Sequence, residues 1–270
     1  MKKRIIIFSA AVAILSLMAF GVLNINNSKT CETQTIQPAN VALNSVAVEK
    51  VQNRIYTDFI YDVGTRFNPI KKSDLDAIRS FDDLIGAEHA GRIVEFNLMK
   101  VIVIINDKHS DIQVTGKSGN FNAAQLKLLQ SLDYSTNLKI SADYQESNKE
   151  TGKIESSQWT PHLTIVPEIQ AEYTNGKKAL MEYLKENGKA AVAEANVVAE
   201  KLKPAKLFFT VTKNGTIENV RLDRSSNYPL VDERMIELIT KTQGKWLPAE
   251  NSEGEKVNQE LVVSFGLMGC

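Results

Sequence analysis

The sequence predicts an α+β protein, in which strands and helices form separate runs, with a β-β-α-β unit at its carboxyl end. Two runs rich in β-branched and aromatic residues, at 207–213 and 216–223, flank the pair Asn214-Gly215. This pair is a strong signal for a β-hairpin, because both residues tolerate the positive φ of a type I′ turn. Further strand-like runs lie upstream, between 93 and 166. We therefore expect a β-rich α+β domain ahead of the carboxyl-terminal unit.

A short helix and a final strand follow the hairpin. An apolar stripe at i, i+1, i+3 and i+4 predicts the helix, and Gly244 can end it as a C′ residue. A polar turn at 252–254 leads to a last strand at 257–265. The helical stripe consists of Met235, Ile236, Leu238 and Ile239, and one face of the strand carries Val257, Leu261, Val263 and Phe265.

The residue identities in this region are as informative as its periodicity. It contains the strings K-N-G-T-I-E-N-V-R-L-D-R-S-S, P-L-V-D-E-R-M-I-E-L-I, K-W-L-P-A-E and V-N-Q-E-L-V-V-S-F. Together these strings resemble the TonB C-terminal domain family, in the form found in Bacteroidetes-type energy transducers. The segment 176–184 is similar to the short helix that often precedes that domain. The resemblance spans roughly 166–266 and implies a TonB-like domain over 166–270.

The resemblance implies a function in transmembrane transport. TonB domains transmit force to outer-membrane transporters by adding an extended transporter peptide to an exposed sheet edge, commonly the last strand. In such β-augmentation, main-chain hydrogen bonds supply affinity and alternate side chains supply specificity. The expected partners are a transporter peptide or plug domain, with inner-membrane motor proteins as a second candidate. The residues expected to bind the partner are Asn258, Gln259, Glu260, Leu261, Val262, Val263 and Ser264. The alternative is that this strand is interior or covered by the upstream domain.

The first 23 residues predict a membrane anchor or a signal peptide. Lys2, Lys3 and Arg4 precede an uncharged run at 5–23, and those 19 residues span nearly 30 Å at about 1.5 Å each, enough for a bilayer core. Small residues at Ala19 and Gly21 would also suit a signal-peptide cleavage site. The positive-inside rule places the rest of the chain in the periplasm of a Gram-negative cell in both cases. The protein is then either anchored to the inner membrane or released into the periplasm.

Two features depart from the TonB pattern. The polar tether at 24–55 has one proline, Pro38, and lacks the long proline- and lysine-rich spacer of most TonB proteins. The apolar run at 5–23 contains no histidine or other ionisable group, although such groups mark proton paths in membranes. These departures keep a second function open. The chain would then be a non-energised envelope scaffold or binding protein, related to gliding or secretion machinery.

Residues 56–165 predict a separate β-rich interaction domain. Strands are expected at 93–96, 100–105, 111–115, 138–144 and 159–166, and a helix at 121–129 with Asn122 as its N-cap. This arrangement faintly resembles the C-terminal domain of the gliding-motility protein GldM. After Pro167, helices are expected at 179–184 and 190–202, leading to the hairpin.

The residues give no support for catalysis. His89, His109 and His162 have no second histidine at i+3 or i+4, and no Gly-x-Ser-x-Gly or glycine-rich phosphate loop occurs. Asp82-Asp83 is typical of a turn or helix start. We therefore expect no enzyme, no metal site and no cofactor. With 32 basic and 32 acidic side chains, the chain has no positive field for nucleic acid. Cys31 and Cys270 can pair in an oxidising compartment or remain free thiols.

The two interpretations of the leader give different products in the native host. If residues 5–23 are an anchor, the protein begins at Met1 and stays in the membrane pellet after carbonate extraction. Amino-terminal sequencing and fractionation check this. A soluble protein that begins near Val22 would contradict the anchor and establish the cleaved signal peptide.

Overall fold

Residues 59–267 form a mixed α+β structure in which strands dominate, in the computed structural model that describes this part of the chain. The predicted leader at 1–23, the predicted tether at 24–55, Cys31 and Cys270 lie outside the described residues. None of the helices within 59–267 is long and apolar enough to cross a membrane. The α+β class predicted from the sequence is confirmed.

Fourteen strands and five α-helices make up the described part of the chain. The strands are β1 Ile60–Gly64, β2 Asn68–Lys71, β3 Ile93–Ile105, β4 Lys108–Gly116, β5 Asn137–Ser147, β6 Ile154–Trp159, β7 His162–Val166, β8 Glu172–Tyr173, β9 Ala205–Val211, β10 Ile217–Arg224, β11 Trp246–Leu247, β12 Ala249–Glu250, β13 Lys256–Val257 and β14 Gln259–Gly266. The helices are α1 Lys72–Ala77, α2 Ala87–Ala90, α3 Ala123–Ser131, α4 Gly176–Glu194 and α5 Pro229–Thr240, with short 3-10 helices at Phe81–Leu84 and Ala199–Lys201.

Residues 68–166, here called the upstream module, are built on a six-stranded sheet. Its strand order is β2-β7-β5-β3-β4, and β6 pairs with β5 beside β7. Alternate residues of β5 are buried, as expected for a strand with one face against a core. That core also receives side chains of α1 and α3. Its members on β5 are Leu138, Ile140, Ala142 and Tyr144.

Most predicted elements of the upstream module are present. The two runs predicted at 93–96 and 100–105 are one strand, β3, which turns into β4 through Asn106 and Asp107, both with positive φ. The N-cap at Asn122 is confirmed, because its side chain accepts the Gln125 backbone N–H at 2.9 Å. The predicted strand at 159–166 is divided into β6 and β7 around Pro161, which has no N–H to donate to a ladder.

The second sheet is antiparallel and has the order β1-β14-β9-β10. Helices α4 and α5 share one hydrophobic core with it. The stripe predicted for α5 is largely confirmed, with Met235, Leu238 and Ile239 buried. Trp246 is also buried in this core, and its indole N–H donates to the Thr242 hydroxyl at 2.9 Å.

Two local predictions for this region are wrong. The turn between β9 and β10 is not type I′, because only Gly215 of the Asn-Gly pair has a positive φ, +76°. The Gly215 N–H donates to the Thr212 carbonyl at 2.9 Å, as in a type I turn followed by one left-handed residue. The helices expected at 179–184 and 190–202 are one helix, α4, which ends at Glu194. The helix formers Lys185, Glu186 and Lys189 flank Asn187 and Gly188, and the first helix continues across these two residues.

The start predicted for the upstream domain, residue 56, differs from the start of the upstream module in the structure. Residues 56–165 were expected to form one unit, yet β1 belongs to the second sheet. Phe59 and Val63 are each 6% exposed and are members of its core. We call β1 together with residues 167–267 the C-terminal module. The core of the domain expected at 166–270 therefore also includes a strand from the far end of the described chain.

The contribution of β1 to this core can be measured with a single side chain. Val63→Ala should lower the free energy of unfolding by about 2 kcal/mol, because it removes two buried methyl groups and leaves a cavity. The matched control is Val94→Ala, at a strand position that is 62% exposed, where the change should stay within about 0.5 kcal/mol. Urea denaturation of both variants checks this. Equal effects would show that β1 contributes no core packing.

Candidate partner-binding edge

The strand predicted to bind a partner lies between two other strands. β14 pairs with β9 from Gln259 to Phe265, and its second half pairs with β1 on the other side. The β1 register runs over five residue pairs, from Gly64 opposite Val262 to Ile60 opposite Gly266. The prediction that 257–265 is an open sheet edge is therefore wrong from Val262 onwards. The period of two in the sequence indicates which face of a strand is buried, and it carries no information about which edge is paired.

The first half of β14 is not covered by β1, and the upstream module approaches it instead. The Glu260 backbone N–H donates to the Ser135 hydroxyl at 2.8 Å. Ser135 has a φ of +64° and follows α3 of the upstream module. Just before β14, the Asn258 side chain accepts the Lys213 backbone N–H at 2.7 Å. The Asn258 contact lies on the β9 side, so on the side that β1 leaves uncovered a side chain, Ser135, is the partner of Glu260.

The seven predicted binding residues do not share one surface. Gln259, Leu261, Val262 and Val263 are buried, Glu260 and Ser264 are half-buried, and Asn258 is exposed. Leu261 and Val263 belong to the core of the C-terminal module. The buried Gln259 uses its side-chain carbonyl to accept the Ala171 backbone N–H at 2.7 Å. Only the start of the predicted segment is open to solvent.

A cavity of about 540 Å³ lies at this open start. Asn258 and Glu260 line it from the C-terminal module, and Ser135 lines it from the upstream module. Lys213 and Lys256 face it together with Asp133, so its walls carry charges of both signs. The cavity gives solvent access to β14 at the point where β1 leaves it.

Arg66 anchors the chain where it leaves β1. Its side chain is 7% exposed and forms ion pairs with Asp107, between β3 and β4, and with Asp223 of β10 at 3.4 Å. The guanidinium carbon lies 4.9 Å from the ring centroid of Phe208, a cation–π contact. A buried charge is costly unless it is paired, so these contacts constrain both modules around Arg66.

Arg221 stacks on the same ring. Its guanidinium carbon lies 4.7 Å from the Phe208 centroid and its charge pairs with the Glu260 carboxylate at 2.7 Å. The basic groups of this region also affect Lys206, whose pKa is lowered by burial and further by the charges of Arg66 and Arg224. The side chain of Glu260 is therefore held by an ion pair, and its backbone N–H is held by Ser135.

Helix α4 has a notch that receives β1. Gly188 is buried in the middle of α4, where glycine is about 1 kcal/mol less favourable than alanine. A Cβ at Gly188 would lie 2.8 Å from the Tyr61 hydroxyl oxygen and 2.8 Å from the Met235 methyl group. Burial raises the pKa of the Tyr61 phenol, which therefore remains neutral. The sequence signal that could have identified this contact is an isolated glycine inside a helical pattern.

A second polar cluster, missed in the sequence, lies in the upstream module. His89 Nε2 is 2.9 Å from the Tyr144 hydroxyl and 3.2 Å from a Glu146 carboxylate oxygen. His89 is far from Tyr144 and Glu146 in the chain, so no short spacing of residues in the sequence could have revealed this cluster. Asp83 behaves as predicted for a helix start, because its carboxylate accepts the backbone N–H of Ser80 at 2.8 Å. Within 59–267, no three His, Cys, Asp or Glu side chains are arranged to hold a metal ion.

Comparison of the chain with protein-family models, with curated proteins and with solved structures gives no match.

The ion pairs of Arg66 should contribute measurably to stability. Arg66→Ala leaves two carboxylates without their cation and uncovers Phe208, so the free energy of unfolding should fall by roughly 1–3 kcal/mol. The control is Arg234→Ala, which removes an ion pair to Glu237 on a helix surface and should cost less than about 1 kcal/mol. Urea denaturation compares the two. A cost for Arg66→Ala no larger than that of the control would show that the cluster is not a structural anchor.

Proposed function

We propose that this protein is a TonB-type envelope protein that links the inner membrane to outer-membrane transporters by strand addition at β14. In this proposal residues 1–23 anchor the chain in the inner membrane, and the modules described here lie in the periplasm. The partner is an extended peptide of a transporter or of its plug domain. The reaction is non-covalent, and no cofactor takes part.

The pairing of β1 with β14 is the observation that carries this proposal. β1 reaches the edge of β14 from a distant part of the sequence and forms five residue pairs there. A segment that joins a sheet in this way uses the same main-chain hydrogen bonds as a peptide from another protein. The edge of β14 is thus geometrically suited to an added strand. The order β9, β10, α5 and β14 also matches the unit expected from the TonB resemblance.

The occupied edge also favours the second candidate, a non-energised envelope scaffold or binding protein. With β1 and Ser135 in place, the backbone of β14 already has partners on both sides. A scaffold would then bind its partners on another surface, for example on the upstream module with its six-stranded sheet. The two functions differ in their need for energy, which an experiment can detect.

Site-specific photo-cross-linking in the native host tests the proposal. A photoreactive amino acid at Asn258, the exposed residue at the start of β14, should cross-link to an outer-membrane transporter, identified by mass spectrometry. The control places the same group at Lys178, which is exposed on α4. A proton uncoupler should weaken the Asn258 cross-link if the protein transduces energy.

Each result has a defined meaning. A transporter captured at Asn258 and absent at Lys178 supports the proposal. An unchanged cross-link in the presence of the uncoupler supports the scaffold. Capture of the same proteins at both positions, or of no transporter at Asn258, would contradict the proposed function.

A further inference from the structure

β1 resembles a docked peptide more than a strand of a continuous fold. It is five residues long, it is the outermost strand of the second sheet, and it pairs with one neighbour only within the described residues. The chain leaves it directly for the upstream module, where β2 begins at Asn68. β1 is therefore joined to the C-terminal module by pairing and packing, without a short connection to β14.

The side chains of this segment alternate as those of a sheet-bound peptide do. Phe59 and Val63 are buried in the core, and Tyr61 between them packs against the same core. Asp62 points away and forms an ion pair with Lys177 at 2.6 Å. Because both partners of this pair are more than half exposed, it contributes little to holding β1. Three alternate apolar side chains and the main chain hold the strand.

The surface that receives these side chains is shaped for them. The notch at Gly188 gives space to the hydroxyl end of Tyr61, which a β-carbon at that position would obstruct. At the other end, Gly64 lies opposite Val262, and the pairing stops there. The site thus specifies an aromatic residue and an aliphatic residue two positions later.

An entering strand has a place to start. Glu260 lies just before Val262, where the β1 pairing ends. On the side of β14 that faces β1, its backbone N–H has the Ser135 hydroxyl as its partner, and the 540 Å³ cavity opens there. An antiparallel peptide would first contact Glu260 with its carboxyl-terminal residues. It would then displace β1 from Gly64 towards Ile60, exchanging one hydrogen bond for another at each step.

We propose that β1 is a built-in occupant of the β14 edge, and that the partner is an extended peptide with the same alternation, an aromatic residue, any residue and an aliphatic residue, which replaces β1 in antiparallel register. This inference rests on the proposed function, because it takes β14 as the acceptor strand. It adds the sequence class of the partner peptide and a self-occupied resting state. Because β1 belongs to the same chain, its effective concentration at the edge is high, so only a peptide that fits at least as well displaces it.

The test uses the full-length chain and a fluorescent peptide with the sequence of residues 58–65. A loosened chain carries Tyr61→Ser and Val63→Ser, which weaken its own β1. A locked chain carries Asp62→Cys and Ser264→Cys, in a Cys31→Ser and Cys270→Ser background. Residues 62 and 264 are directly opposite in the register, at a separation that a disulfide can bridge. The control peptide has serine at the positions of Phe59, Tyr61 and Val63.

The loosened chain should bind the peptide at least about tenfold more tightly than the unaltered chain, because its own strand competes less. The oxidised locked chain should not bind it, and reduction should restore the affinity of the unaltered chain. The control peptide should bind none of the chains. Equal binding to the loosened and the locked chain would place the peptide elsewhere and overturn the inference.

Hydrogen exchange of the unaltered chain provides a second measurement, which does not depend on the folding of a variant. The amides of β1 should exchange at least about tenfold faster than those of Leu207 and Phe209 in β9, since β1 opens without global unfolding. Equal rates would overturn the inference. Failure of peptide exchange together with transporter cross-linking at Asn258 would refute only the role of β1. Peptide exchange without such cross-linking would refute the proposed function and leave β1 as an exchangeable strand.

Discussion

The C-terminal module depends on how the outer edge of β14 is satisfied. β14 pairs with β9 along one side, and its other side presents backbone N–H and C=O groups that need partners when they are buried. β1 supplies those partners from Val262 onwards, and Ser135 supplies one at Glu260. Both partners come from outside the β-β-α-β unit. This requirement explains why a segment ahead of the upstream module is part of the C-terminal core.

The position of β1 determines the environment of Arg66. Because the chain leaves the sheet at Thr65, the next side chain is buried between the modules, where a charge needs close partners. Asp107 and Asp223 provide them from separate sheets, and Phe208 provides a ring face. β1 completes the second sheet, and the Arg66 side chain that follows it holds the β3–β4 turn of the upstream module against that sheet. A rearrangement of β1 would affect this cluster, so the strand pairing and the module contacts are physically coupled.

Particular elements show where sequence patterns were sufficient. Asn122 was predicted as an N-cap because a side-chain carbonyl there can accept a nearby backbone N–H, and that interaction depends only on neighbours in the chain. The apolar stripe of α5 was equally local. In contrast, Asn214-Gly215 allows more than one turn, and the type formed depends on how β9 and β10 twist. The division of β6 from β7 was equally predictable, because Pro161 has no N–H to donate to a ladder.

The sequence by itself determined the α+β class, the β-β-α-β unit and the apolar faces of its strands, since these follow from periods of 2 and 3.6 within short windows. The sequence led to β14 as the predicted partner-binding strand, but it could not show which strands pair with β14. Only the tertiary structure decided that β1 occupies the β14 edge, that Ser135 caps Glu260 and that Arg66 joins the modules. The physical reason is that the pairing of a strand edge is a contact between segments far apart in the chain, and no local periodicity encodes it.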